Sequence, residues 1–291
     1  MKTDYLQYTI EEVSSWLSGE SKVKLPVVQR GFVWKVSQME CLWDSLFRGY
    51  PIGAMMMARE GDNLWLLDGQ QRATTIALGF YNPWSQEMNR IGNATNLPVV
   101  WIDVCPQKKM DTFEYVFRVV TRSHPWGYQL QNNGSILGVA ARRKANAIYK
   151  ELFNQDNHTK LTPSQRLPYD AACPIPLCFL LEVAAKGLSG EDIVEMCKKN
   201  IPQGYRTSLM PEGDTYYSML NKIDFSTLIK TVAEHVLTAK IPSIILTEEL
   251  LIDRNDNSTD ESTLFVRLNS QGTRIEGEDL LSAQSTFMRI S

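Results

Sequence analysis

The sequence predicts an α+β protein, a mixed-sheet core with an appended, mainly helical region. Three observations point there. Short apolar runs bounded by Gly, Pro and polar clusters recur at 51–57, 64–68, 97–104, 113–120 and 241–247, as strands do. Segments with apolar residues at helical spacing stand between and after them. Most of the strand-like runs fall before residue 122, whereas 123–240 is dominated by helical patterns.

In chain order, residues 9–19 read as a capped amphipathic helix. Thr9 caps it, Glu12 stands three residues on, and Gly19 stops it. Residues 24–35 are extended, with a turn at Gly31. Ser37 to Arg48 is a helix with Met39, Leu42, Trp43, Leu46 and Phe47 on one face and Gly49 at its end. The strands at 51–57 and 64–68 form a hairpin across Glu60-Gly61-Asp62-Asn63. A helix over 72–80 and a loop over 82–96 precede the strands at 97–104 and 113–120. Leu137 to Phe153 is helical, and 154–176 is irregular and contains proline. Cys178 to Leu188, Ser189 to Asn200 and Tyr216 to Ala239 read as three further helices. A strand returns at 241–247, an acidic polar loop spans 253–260, and a helix runs from Glu276 to Ile290. The expected units are a core at 1–122, a helical region at 123–240, and a segment at 241–291 that completes the core. The last helical pattern still runs at Ser291 without a cap, so a longer protein is expected.

With 291 residues the chain can bury a substantial core. A net charge of −3 gives no whole-chain argument for nucleic acid and leaves that role to local patches. No uninterrupted apolar stretch is long enough to span a bilayer, so no membrane partner is expected. No apolar signal-peptide region follows Met1-Lys2-Thr3-Asp4-Tyr5, which makes the cytoplasm the default compartment. The five cysteines form no CxxC pair and read as reduced thiols, mostly buried. The three histidines, at 124, 158 and 235, lack metal-site spacing. No metal ligand set is expected, and an HNH nuclease centre within the chain is disfavoured.

The sharpest signal is Leu64-Trp65-Leu66-Leu67-Asp68-Gly69-Gln70-Gln71-Arg72-Ala73-Thr74-Thr75. A strand buried on both faces ends, Gly69 permits a tight turn, and a helix starts at once. Such a turn aims backbone N–H groups and the Arg72 guanidinium at one small volume, which suits an anion, most often phosphate. A cation in a first helical turn opposes the helix dipole at about 0.3–1 kcal/mol, a cost a bound anion reverses. The alternative is ligand-free: Asp68 and Gln71 have the spacing of a capping box.

Other residues carry paired readings. Arg30, beside Gln29, suits bidentate phosphate contact or a surface ion pair. Phe32 and Trp34 suit base stacking or the core. Asp103 suits Mg²⁺ with bound waters, or pairing to an arginine. His124, in His124-Pro125-Trp126-Gly127-Tyr128, suits a general base, a nucleotide contact or a packed turn. Lys35 and Arg142-Arg143-Lys144 suit a DNA backbone or a solvated face.

Three segments together resemble the GmrS-type, DGQQR-motif family of type IV restriction systems such as GmrSD, and of the phosphorothioate-sensing protein SspE. They are Gln29-Arg30-Gly31-Phe32-Val33-Trp34; Gly49-Tyr50-Pro51-Ile52-Gly53 followed by Asp68 to Thr75; and Phe265-Val266-Arg267-Leu268-Asn269-Ser270-Gln271-Gly272. Their order and spacing agree across 25–282. Val28 departs from the pattern, standing where the family often has tyrosine, which puts an aromatic contact to DNA or phosphorothioate in doubt here.

The resemblance implies a ParB/sulfiredoxin-like core in which an arginine-bearing loop at a helix start holds nucleotide phosphates. It implies a nucleoside triphosphate as substrate or effector, with Mg²⁺ allowed, and hydrolysis coupled to restriction of modified phage DNA. It implies Asp68, Gln71 and Arg72 as catalytic groups. Gly69, Gln70, Gln71, Arg72, Thr74, Arg267 and Asn269 would contact nucleotide. Local positive charge, rather than the resemblance, makes Arg30, Lys35, Arg142 and Arg143, with Gln29, the expected DNA contacts. A nuclease domain or subunit outside this chain would be the partner, with homo-oligomerisation left open. Two alternatives stand beside this reading. One is a non-catalytic DNA- or nucleotide-sensing module that regulates a partner nuclease, and the other is a nuclease in its own right.

Overall fold

The computed structural model describes residues 4–18, 21–24, 34–85, 97–106, 114–130 and 134–246. Two sheets and a set of helices enclose one main apolar core, in an α+β arrangement.

The first sheet is mixed. Its strands are β1 (Asp4–Thr9), β2 (Val23–Lys24), β3 (Met55–Glu60), β4 (Asn63–Asp68) and β8 (Lys240–Leu246), in the order β1-β8-β3-β4-β2. β1 pairs antiparallel to β8 and β3 antiparallel to β4, while β3–β8 and β2–β4 are parallel. The hairpin expected from the turn at 60–63 is β3–β4. Its first strand starts at Met55 rather than Pro51, since 51–54 is irregular. β1 was not foreseen, because its exposure pattern carries no alternation.

The second sheet is antiparallel, ordered β6-β5-β7: β6 (Val116–Val120), β5 (Val99–Asp103) and β7 (Pro174–Pro176). β5 and β6 are buried along their whole length, including the charged Asp103 and Arg118.

α1 (Ile10–Ser15) begins with the expected capping box: Glu12 N–H donates to Thr9 Oγ1 at 3.1 Å and Thr9 N–H to Glu12 Oε2 at 2.6 Å. α2 (Val36–Phe47) buries the five apolar residues its spacing selects, and also Glu40 and Asp44. α3 (Gln70–Phe80) follows β4 directly. α4 (Val139–Phe153) has one exposed basic face. α5 (Leu177–Lys186) ends at Gly187 in the left-handed region, and α6 (Gly190–Asn200) follows after Ser189. The single helix expected over 216–239 is broken into α7 (Tyr216–Leu220), α8 (Ser226–Thr231) and a π-helical stretch over Val232–Val236. Asp224 accepts from Ser226 N–H at 2.9 Å in the turn that precedes α8.

Trp43, fully buried, links α2 to α3: its indole donates to Thr75 O at 3.3 Å, and its ring lies over Gly79. A Cβ at Gly79 would sit 2.0 Å from Trp43 Cζ2. Gly-to-Ala in a helix ordinarily gains about 0.8–1 kcal/mol. Here overpacking costs about 1–3 kcal/mol or more, so the sign reverses. Gly79→Ala should lower the unfolding midpoint; a raised midpoint would show that Trp43 moves aside freely.

Candidate functional site

The strand–glycine–helix unit forms as the sequence predicts. The β3–β4 pairing carries a register irregularity where Met56 faces Asp68 and Met57 faces Leu66, so Leu67 is skipped. Such bulges re-aim the residues beside them. Leu64 and Leu66 point into the main core, while Leu67 packs with Ala58 and Leu246 in a separate small cluster. β4 therefore carries apolar residues on both faces.

Gly69 has φ +100° and occupies the cap position of α3, and no side chain caps that helix start. The Asp68–Gln71 capping box does not form. Asp68 is the last residue of β4, and its carboxylate takes the Arg72 guanidinium instead, Nη2 to Oδ2 at 2.8 Å. Arg72 Nη1 donates to Ile52 O at 3.0 Å. Its side chain is 17% exposed and that of Asp68 52%.

Two glycines wall the guanidinium. A Cβ at Gly53 (φ +84°) would lie 2.8 Å from Arg72 Nη1, and one at Gly69 would lie 3.4 Å from Nη2 and 2.8 Å from Met55 Cγ. The Gly49-to-Gly53 and Asp68-to-Arg72 segments, separate in sequence, thus meet at one arginine. A guanidinium has five N–H donors, and the contacts among the described residues use one on each of Nη1 and Nη2. The remainder, with the uncapped helix start, can receive an anion. Gln70 is turned back, its Nε2 donating to Leu66 O at 2.9 Å, which holds the turn. Gln71 and Thr74 are half-buried on the same helix.

The other expected site residues are dispersed. Gln29, Arg30 and Phe32 lie outside the described residues, as do Arg267, Asn269 and the helix expected over 276–290. Lys35 is exposed at the start of α2, its N–H held by Gln38 Oε1 at 2.8 Å. Trp34 packs against the core. Arg142 is half-buried and Arg143 and Lys144 are exposed, all on α4.

Asp103 corrects the Mg²⁺ reading. It is 3% exposed, and its oxygens accept from Ala172 N (2.8 Å), Cys173 N (2.9 Å) and Cys105 N (3.4 Å). It ties the segment before β7 to the end of β5. Burial raises its carboxyl above the usual range, against the pull of those N–H groups and the Arg118 charge. Among the described residues no group of three His, Cys, Asp or Glu could hold a metal ion. No helix of the described residues is long and apolar enough to cross a membrane. The five cysteines are free; 173, 178 and 197 are buried, and 41 and 105 exposed.

Sequence reading missed a buried cluster of titratable groups. Glu40 (2% exposed) lies 4.0 Å from Arg118 Nη1, and Arg118 (1% exposed) lies 3.8 Å from Asp170 through Nη2, which also donates to Tyr128 O. Neither Glu40 oxygen has a partner in hydrogen-bond geometry. Burial raises its pKa to about 8, against the Arg118 charge and the nearby Val119 N–H. The signal was present: Glu40 and Asp44 interrupt the apolar face of α2. Asp44 serves structure there, accepting from Glu114 N (3.0 Å) and Tyr115 N (2.9 Å).

The described residues thus hold an arginine between two positive-φ glycines at an uncapped helix start, within an α+β domain. The family model for the N-terminal domain of GmrSD restriction endonucleases matches residues 13–286, and the chain belongs to that family. Its place is in a restriction system. No curated protein matches the chain.

Proposed function

We propose that this chain is the nucleotide-binding and hydrolysing sensor of an antiphage restriction protein acting on modified DNA. The observation that carries the reading is the Arg72 guanidinium, fixed by Ile52 O and Asp68 beside the bare start of α3. Preorganised donors of this kind stabilise the charge of phosphoryl transfer without reorganising during the reaction. Arg72 binds the phosphates, Gly53 and Gly69 permit the close approach, and Gln71 and Thr74 contact phosphate or orient water. Asp68 holds Arg72 and positions water. Mg²⁺ enters with the triphosphate. Arg267 and Asn269 complete the pocket by family resemblance, within a ParB/sulfiredoxin-like core. DNA is engaged through Gln29, Arg30, Lys35 and the basic face of α4, and a nuclease domain or subunit is the effector.

A second reading has its own support. The Asp68 carboxylate already balances the Arg72 charge without a ligand, which suits a non-catalytic module that binds nucleotide through the remaining donors and releases a partner nuclease. Phosphate release from nucleoside triphosphates, measured with and without modified DNA, separates the two. DNA-stimulated release supports hydrolysis. Nucleotide binding with no release, in the presence of the nuclease partner, supports sensing alone.

A further inference from the structure

A second cationic cluster is built from residues other than those around Arg72. In the turn after β6, the His124 ring lies 4.8 Å from that of Tyr128 and 6.4 Å from that of Trp126. The Trp126 ring is also 5.0 Å from that of His158, which opens a 3-10 turn over His158–Lys160. Two of the chain's three histidines therefore share one tryptophan. Burial holds the His124 pKa below its ordinary value, and the charges of Arg142, on α4, and of His158 push it the same way. Arg122 joins them, its Nε donating to Thr159 O at 3.3 Å.

The charge balance of this cluster is one-sided. Among the described residues, Arg122, His124, Arg142 and His158 have no carboxylate partner, and the neighbouring Asp156 is engaged by Lys150 at 2.6 Å. Gathering cationic groups without a counter-charge costs free energy, which a bound anion recovers. Two N–H groups of these residues, Arg142 Nε and Trp126 Nε1, are buried and have no hydrogen-bond partner. The histidine is also oriented. Its backbone N–H donates to Thr121 Oγ1 at 3.1 Å, and Nδ1 faces Ser123 Oγ at 3.1 Å, which leaves Nε2 for a ligand. Thr121 Oγ1 in turn meets the Tyr128 hydroxyl at 3.1 Å.

We propose that His124, His158, Arg142 and Arg122 form a phosphate-binding site, separate in its residues from the Arg72 turn. It takes a phosphate group, carried either by DNA or by a free nucleotide. The site shares Arg142 with the DNA-binding face read above, but does not depend on hydrolysis at Arg72.

Histidine-ring NMR of the full chain tests it, because only three histidines contribute signals. The probes are pyrophosphate, a nucleoside triphosphate and a short DNA duplex. Pyrophosphate should shift the His124 and His158 signals and raise the His124 titration midpoint. Its affinity should increase as pH falls, since protonated imidazole is the better anion ligand. His235, held by Phe47 O at 2.6 Å, is the internal control and should stay unmoved. Arg142→Gln should weaken binding about tenfold, as expected for one lost charge-assisted contact, with the His235 signal unchanged. Tighter, steeply salt-dependent binding of the duplex identifies DNA as the source of the phosphate; tighter triphosphate binding identifies the nucleotide. If none of the three probes moves His124 or His158, or Arg142→Gln binds them as wild type does, the site does not exist. Turnover by Arg72→Ala is a separate readout and bears only on the hydrolysis reading.

Discussion

Arg72→Ala is expected to abolish nucleotide turnover, by at least about 10²–10³-fold, the usual loss when one preorganised charge-stabilising donor is removed. The substitution removes both the cation proposed to bind phosphate and the tie between Ile52 O and Asp68. Two effects compete for the result. Charge-assisted hydrogen bonds are worth about 1.5–3 kcal/mol each, but Asp68 is half-exposed, so screening reduces its share. The fold should therefore survive with a lowered unfolding midpoint while turnover collapses. Arg72→Lys separates the effects further. It keeps the charge but loses the planar fork, so it should bind nucleotide weakly and turn over poorly. Equal phosphate release per folded molecule by wild type and Arg72→Ala would sink the hydrolysis reading.

The second large effect concerns stability and its pH dependence at Glu40. The folded-state pKa is about 8 against 4.5 in the unfolded chain. A carboxyl with a raised folded pKa binds its proton more tightly when folded. Its contribution is most favourable at low pH and is lost progressively as pH rises from about 4.5 to about 8. At about 1.36 kcal/mol per unit, the cost at alkaline pH is on the order of 3–5 kcal/mol. Glu40→Gln cannot ionise. It should be more stable than wild type at pH 8 and above, with a flatter midpoint between pH 5 and 8, while Arg118 keeps Asp170 and Tyr128 O as partners. Thermal unfolding across that range is the measurement. Parallel curves for the two proteins would mean that Glu40 stays ionised and well solvated.

The sequence by itself determined the features that short-range spacing controls. The Thr9–Glu12 box, the apolar face of α2, the β3–β4 hairpin and the strand–Gly69–helix turn all depend on residues a few positions apart. The three motif segments were legible for the same reason, and they led to the family that the match over 13–286 shows. Only the tertiary structure decided what required distant partners. β1 exists because β8, more than 200 residues on, pairs with it along six positions, and its own exposed pattern gave no hint. Asp103 became a backbone tether because Ala172 and Cys173 arrive from nearly seventy residues away. The spacing offered Asp68 a capping box with Gln71, and the structure gives it the Arg72 ion pair instead. Ile52 O, twenty residues upstream, helps hold Arg72 where the carboxylate reaches it. Periodicity records which face of an element is apolar. It does not record which distant backbone group will satisfy a buried charge, because that follows from how the elements close on one another.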